Sequence, residues 1–155
     1  MHPFEVSTET PEETFTLARR LARHLHPGDV IALEGDLGAG KTTFTKGLAA
    51  GLGVEQMINS PTFTLMKAYR GRLPFYHFDA YRLEGEEDLG FEEYFYGEGV
   101  SVIEWASKLG DLLPEERLTI HIRRLEGDNR ILAFLPAGNR YIQLCKEFFY
   151  ADSGD

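Results

Sequence analysis

An α/β fold with a central, mostly parallel sheet and antiparallel additions is predicted by three patterns in the 155-residue sequence. Segments with apolar residues at helical spacing alternate with short apolar runs, which is typical of strands buried between two layers of helices. A glycine-rich loop, residues 35–42, separates one such run from a helical segment. Two strand-like segments late in the chain, residues 118–123 and 131–135, are predicted to pair antiparallel. These patterns predict a three-layer fold.

The other elements follow from the same periodicities. A helix begins at Thr10, because Thr is a favoured N-cap and Pro11 suits the first turn, and it ends before Pro27. Residues 86–96 are predicted to be irregular or helical, and the segment from about Asn139 is predicted to be helical. The remaining predictions are strands at residues 4–7, 30–33, 61–69, 73–79 and 100–103, and a helix at residues 41–52.

Composition and charge limit the functions that the chain can have. We expect one domain over residues 1–155, with a disordered acidic end from about residue 151. Sixteen Lys and Arg against 25 Asp and Glu leave a net charge of −9. A protein that grips nucleic acid by itself usually presents a basic face. We therefore expect any nucleic acid to be held by a partner.

The compartment is predicted from the termini and the cysteine. The N-terminus has neither the basic region nor the apolar core of a signal peptide, and no apolar run reaches the roughly 20 residues that span a bilayer. The single cysteine, Cys145, excludes an internal disulfide framework, and its apolar-periodic segment predicts a packing role. We expect a cytoplasmic protein.

The glycine-rich loop matches the pattern G-x-x-x-x-G-K-S/T in full and predicts a P-loop NTPase-like fold. Its glycines allow backbone N–H groups to converge on phosphate oxygens, and the following helix points its positive end at the same anion. Lys41 adds a full charge at the outer phosphates, and the Thr42 hydroxyl is a ligand for Mg²⁺. The chain has no Asn/Thr-Lys-x-Asp segment to read guanine, so ATP is the predicted nucleotide.

Two acidic residues end predicted strands. Asp79 follows a mostly apolar run, and Glu104 ends another. Because ligands of open parallel sheets collect at the carboxyl ends of strands, both could face the triphosphate and its magnesium. His77, within the same run as Asp79, is predicted to be a packing residue. Residues 60–64 either sense the γ-phosphate or form a plain turn.

Four motifs in series resemble those of the bacterial TsaE (YjeE) family. They are GDLGAGKTTF at 35–44, SPTFTL at 60–65, YHFDAYRL at 76–83 and IEW at 103–105. The resemblance implies a small P-loop ATPase of tRNA threonylcarbamoyladenosine synthesis, a modification of tRNAs that read ANN codons. It also implies that the chain assists the TsaB–TsaD pair, that ATP hydrolysis resets this complex between turnovers, and that tRNA is met only through the complex.

The resemblance also implies roles for single residues. Lys41, Asp79 and Glu104 would be catalytic, and Thr42, Asp79 and Glu104 would bind Mg²⁺. Thr62 would sense the γ-phosphate, and the motifs assign no role to Arg130 or to the segment after Pro136. The residues implied to contact the nucleotide are Gly35, Asp36, Leu37, Gly38, Ala39, Gly40, Lys41, Thr42, Thr43, Thr62, Trp105, Thr10 and Pro11, the last two near the adenine.

Two other functions remain open from the sequence. A small-molecule kinase would need an acceptor pocket and usually an arginine-bearing lid, and no insertion here is long enough for both. A nucleotide-gated interaction module, in which hydrolysis is incidental, would show slow turnover with a strong response to its partner.

Overall fold

The computed structural model describes residues 4–36, 38–58, 66–80, 91–95 and 97–151. In this part the strands are β1 (Glu5–Thr8), β2 (Val30–Glu34), β3 (Met66–Arg70), β4 (Pro74–Asp79), β5 (Val100–Glu104), β6 (Arg117–Arg124) and β7 (Arg130–Ala137). The α-helices are α1 (Pro11–Leu21), α2 (Lys41–Gly51), α3 (Phe91–Phe95) and α4 (Asn139–Lys146). Shorter helical turns cover Ala22–His24, Ala106–Leu112 and Glu147–Ala151.

All seven strands form one sheet in the order β1-β7-β6-β2-β5-β4-β3. Strands β6, β2, β5 and β4 run parallel in the centre. At one edge, β3 pairs antiparallel with β4. On the other side, β7 pairs antiparallel with β6, and the edge strand β1 pairs antiparallel with β7. The predicted fold class is confirmed, including the late antiparallel pair, which is β6 and β7.

Helices cover both faces of the sheet. Ile31 and Leu33 of β2 belong to the larger apolar core, which α1, α2 and α4 cover. Val30 and Ala32 belong to a smaller core on the opposite face, beneath α3 and the turn Ala106–Leu112. Strand β2 is therefore buried on both faces, which explains why its sequence is an unbroken apolar run rather than an alternating one.

Helices α1 and α2 pack with their backbones in close contact. A Cβ atom added at Gly47 would lie 2.3 Å from the carbonyl oxygen of Phe15, and one at Gly51 would lie 2.5 Å from that of Arg19. Both distances are far below normal contact, so the helices can approach this closely only because α2 presents glycine to α1.

Helix α1 begins as predicted but ends early. The Thr10 hydroxyl accepts a hydrogen bond from the Glu13 N–H at 3.1 Å. The α-helix stops at Leu21, and a tighter turn, Ala22–His24, replaces the last part of the predicted helix. Arg72 donates to the Ala22 carbonyl at 2.8 Å, and Arg140 donates to the His24 carbonyl at 2.7 Å. Distant side chains thus bind carbonyls that a longer helix would use internally.

The C-terminal segment is helical, as predicted, and it packs onto the larger core. The Tyr141 hydroxyl accepts a hydrogen bond from the Val30 N–H at 2.8 Å, and Arg140 forms an ion pair with Asp29 at 2.6 Å. Cys145 is fully buried, and burial raises the pKa of its thiol to about 12. The packing prediction for this cysteine is confirmed.

Some predictions fall outside the described residues. They concern Leu37, the segment at residues 59–65 that contains Thr62, and the acidic end at residues 152–155. In the described part of the chain, no helix combines the length and apolarity that crossing a bilayer requires.

Candidate functional site

A cavity of about 380 Å³ opens beside the N-terminus of α2 and the carboxyl ends of β4 and β5. It combines backbone from the glycine-rich loop with charged side chains from three different strands. Its lining residues are Pro11, Thr14, Gly38, Ala39, Gly40, Lys41, Thr42, Thr43, Asp79, Glu104, Trp105, Asp128 and Arg130.

The loop before α2 needs glycine for its shape. Gly38 and Gly40 have φ angles of 78° and 110°, in the left-handed region that residues with a Cβ rarely adopt. A Cβ at Gly35 would lie 2.4 Å from the Ile122 carbonyl oxygen of the neighbouring strand β6. The loop therefore bends sharply while lying directly against the sheet.

The N-terminus of α2 faces the cavity. Gly40 is its N-cap, no described side chain caps it, and the first helical hydrogen bond runs from Phe44 N–H to the Gly40 carbonyl. The N–H groups of the first turn precede that bond and have no partner inside the helix. Together with the helix dipole they favour an anion at this end.

Lys41 is held in place by backbone carbonyl groups of the glycine-rich loop. Its side chain is 5 % exposed, and Nζ donates to the carbonyl oxygens of Gly35 at 2.5 Å and Asp36 at 2.8 Å. The same Nζ lies 4.2 Å from the centre of the Trp105 ring. Burial lowers the pKa of Lys41 below its usual value, while the nearby carboxylates, first Glu104, oppose that shift.

The two strand-end acids are neighbours across the sheet. Asp79 of β4 stands opposite Glu104 of β5 in the parallel register. Glu104 is 4 % exposed, and its Oε2 lies 2.6 Å from Nε2 of His77. Trp105 follows with a φ of 60°, the one positive φ of a described residue other than glycine. That left-handed turn ends β5 at a residue that lines the cavity.

Arg130 joins the site from β7, the strand next to the β1 edge of the sheet. At the start of β7, its Nε donates to the Ala39 carbonyl at 2.8 Å and its Nη2 to the Gly38 carbonyl at 3.1 Å. Its Nη1 donates to the carbonyls of Gly127 and Asn129. One guanidinium thus ties the β6–β7 turn to the glycine-rich loop.

Comparison with known proteins identifies the family. Residues 8–132 match the family model described as "Threonylcarbamoyl adenosine biosynthesis protein TsaE". The chain belongs to the TsaE family. It is 54% identical over 148 residues to the tRNA threonylcarbamoyladenosine biosynthesis protein TsaE of Bacillus subtilis, with 94% of each chain covered. Its identity to the protein of that name from Treponema pallidum is 46% over 126 residues, covering 79% of this chain and 93% of that one.

A solved TsaE-like structure supports the same conclusion. The crystal structure of Bacillus subtilis YdiB superposes with a TM-score of 0.86 and 48% identity, covering 96% of this chain and 95% of that chain. The likeness therefore extends over the central sheet and over the segment after Pro136, which the sequence motifs leave unassigned.

Most residues that the TsaE resemblance singles out meet at the cavity. Gly38, Ala39, Gly40, Lys41, Thr42, Thr43, Asp79, Glu104, Trp105 and Pro11 line it. Gly35 and Asp36 act through their carbonyl oxygens on Lys41. Thr10 caps α1 and is not among the lining residues, and Leu37 and Thr62 lie outside the described part of the chain.

Three lining residues were missed by sequence reasoning: Thr14, Asp128 and Arg130. Thr14 lies on the first turn of α1, and its hydroxyl is 2.7 Å from that of Thr8. Arg130 is 91 positions from its partner Ala39. No local motif signals the role of Arg130, because it depends on which strand lies beside the loop.

Proposed function

We propose that this TsaE-family chain binds Mg·ATP in the cavity and hydrolyses the nucleotide slowly alone and faster with its partners. In this proposal, hydrolysis supports a TsaB–TsaD complex that forms threonylcarbamoyladenosine in tRNAs reading ANN codons. The observation that carries the proposal is the convergence of Lys41, the uncapped N-terminus of α2 and two strand-end carboxylates on one cavity.

The residues present fit a nucleotide polyphosphate. Gly38 and Gly40 leave the loop open to a close anion, and the first turn of α2 supplies N–H donors. Lys41 supplies a compact positive charge at the point where the outer phosphates would lie. Adenine is favoured over guanine because the sequence lacks the Asn/Thr-Lys-x-Asp segment that reads guanine. Helix α1 contributes Pro11 and Thr14 to the lining of the cavity.

The same cavity offers the oxygen ligands that magnesium prefers. The Thr42 hydroxyl and the carboxylates of Asp79 and Glu104 line it. Bound Mg²⁺ would neutralise phosphate charge and lower the pKa of a coordinated water. Glu104, buried and hydrogen-bonded to His77, would hold the metal or accept a proton from the attacking water.

The partner assignment rests on the family. The Bacillus and Treponema relatives are named as tRNA threonylcarbamoyladenosine biosynthesis proteins, and we extend that role to this chain. Its net charge of −9 favours contact with tRNA through the partners rather than directly. Reset of a TsaB–TsaD pair between turnovers is the role that an ATPase without an acceptor domain would serve.

The test is phosphate release by the purified chain, alone and with TsaB–TsaD, in the presence of Mg²⁺ or EDTA. We expect slow release alone, faster release with the partners, and none without metal. Lys41→Ala should lower the rate by roughly 100-fold, the usual scale for losing one preorganised charge-stabilising group. Lys46→Ala, on the exposed face of the same helix, is the matched control and should leave the rate unchanged.

Two outcomes would contradict the proposal. Unchanged hydrolysis by folded Lys41→Ala would remove the phosphate loop from the reaction. Transfer of the γ-phosphate to a small molecule in an acceptor screen, with no response to TsaB–TsaD, would favour a small-molecule kinase instead.

A further inference from the structure

The sequence motifs assign no role to the buried hydrogen bond between His77 and Glu104. His77 lies on β4 and Glu104 on β5, and the two strands are parallel neighbours. The His77 side chain is 0 % exposed, and its Nε2 lies 2.6 Å from Glu104 Oε2. Their hydrogen bond is therefore sealed from solvent on the histidine side and ends at a carboxylate that lines the cavity.

The surroundings of the ring decide which nitrogen carries the proton. No described residue forms a hydrogen bond with Nδ1 of His77, which is also buried. A proton on Nδ1 would leave a buried N–H donor without a described partner, in the neutral ring as in the imidazolium. The neutral tautomer with its proton on Nδ1 would in addition need a protonated carboxyl group at Nε2. The neutral tautomer with its proton on Nε2 satisfies an ionised Glu104 and leaves only a lone pair at Nδ1.

We infer that His77 is a positioning residue for Glu104, a statement that rests on the proposed ATPase function. The Nε2–H group holds Oε2 and so fixes the carboxylate plane, which leaves Oε1 for the magnesium ion or the attacking water. Loss of a group that orients a metal-binding or catalytic side chain in this way typically costs 10- to 100-fold in activity or metal affinity.

Two similar substitutions separate positioning from packing. In His77→Gln, the amide nitrogen can occupy the place of Nε2 and donate to Glu104. In His77→Asn, the amide nitrogen occupies the place of Nδ1 and falls short. We expect His77→Asn to lower the kcat of partner-stimulated phosphate release by about 10- to 100-fold, and His77→Gln to restore most of it. Affinity for metal-free ADP, which the loop and Lys41 dominate, should not change in either variant.

The matched control is His26→Asn, because His26 is exposed at the opposite end of β2. We expect wild-type kcat from it. Equal kcat for His77→Asn and wild type would overturn the inference, and so would equal losses in kcat and in ADP affinity for both His77 variants. Absence of hydrolysis by the wild type would instead overturn the proposed ATPase function.

A second measurement tests the bond without any turnover. Nitrogen-15 spectra of histidine-labelled, nucleotide-free protein report which ring nitrogen carries the proton, and the resonance missing from His77→Gln identifies His77. We expect a slowly exchanging proton on Nε2 that shifts in Glu104→Gln. A proton on Nδ1, or an Nε2 proton that does not respond to Glu104→Gln, would overturn the inference even if the His77→Asn variant failed to fold.

Discussion

Arg130 fixes the direction of a peptide group in the glycine-rich loop. Its Nε donates to the Ala39 carbonyl oxygen at 2.8 Å. Because the C=O and N–H of a trans peptide point in opposite directions, a fixed Ala39 carbonyl also fixes the direction of the Gly40 N–H. Gly40 lines the cavity, so the arginine preorganises a donor that a phosphate would use.

We expect Arg130→Gln to weaken ATP binding by roughly tenfold, equal to about 1.4 kcal/mol. That is the order expected when hydrogen bonds from a charged group are lost. Trp105 is the one tryptophan of the chain and lines the cavity, so its fluorescence can report the titration. Arg123→Gln, exposed on the same hairpin, is the control. Equal affinities for both variants would show that the loop holds its shape without Arg130.

Substitution of Asp79 or Glu104 should affect hydrolysis, whereas substitution of Lys41 should also affect nucleotide binding. We expect Asp79→Ala and Glu104→Ala to reduce hydrolysis by at least about tenfold while changing nucleotide affinity little, because they act through metal and water. In the proposed complex with ATP, the loop N–H groups and Lys41 would carry most of the phosphate binding. Titration with a fluorescent ATP analogue beside a phosphate-release assay measures both quantities, and equal losses in the two assays would make these acids structural.

At the scale of elements, the contact between α1 and α2 supports the site. Helix α2 begins at the cavity and α1 contributes Pro11 and Thr14 to it, so their separation helps set its width. Gly47 is the residue of closest approach, since a Cβ there would lie 2.3 Å from the Phe15 carbonyl and 2.8 Å from the Ala18 Cβ.

We expect Gly47→Ala to lower the free energy of unfolding by about 1–3 kcal/mol, the usual cost of overpacking a close interface. This is opposite to the gain of about 1 kcal/mol that helix propensity alone predicts. Urea unfolding measures the change. Ala50→Ser, exposed on the same helix, should stay within about 0.5 kcal/mol of wild type. A Gly47→Ala variant that is more stable than wild type would show that the two helices can move apart freely.

At the scale of the whole molecule, the parallel centre of the sheet gathers the site. Strands β2, β4 and β5 run in the same direction. Their last residues, Glu34, Asp79 and Glu104, therefore lie together at the carboxyl ends of the strands. The carboxylate of Glu34 accepts hydrogen bonds from the N–H and hydroxyl of Ser107. It thereby connects the end of β2 to the turn after Trp105.

We expect partner and nucleotide affinities to be linked. TsaB–TsaD should bind the chain with affinities that differ by about 5- to 150-fold between the nucleotide-free, ADP and non-hydrolysable ATP states, and the linkage must be reciprocal. Calorimetry in the three states measures it, with Lys41→Ala as the variant in which the difference should vanish. Identical affinities in all three states for the wild type would exclude a nucleotide-driven switch.

The sequence by itself determined the features that depend on neighbours along the chain. The glycine-rich loop was predictable because Gly38, Gly40 and Lys41 lie within one short segment, and backbone freedom and charge are local properties of such a segment. The strands and helices were predictable from their apolar periods, and the fold class followed. Asp79 and Glu104 were recognisable because each ends an apolar strand.

Only the tertiary structure decided which of these features meet. Arg130 reaches Ala39 across 91 positions, and His77 reaches Glu104 across 27. Strand order and register bring these partners together, and hydrophobic burial, which is non-directional, does not reveal that order in a sequence. The end of α1 at Leu21 was decided in the same way, because Arg72 of the β3–β4 turn and Arg140 of α4 bind the carbonyls of Ala22 and His24. Periodicity records which face of a segment is buried, whereas its partners depend on how the whole chain packs.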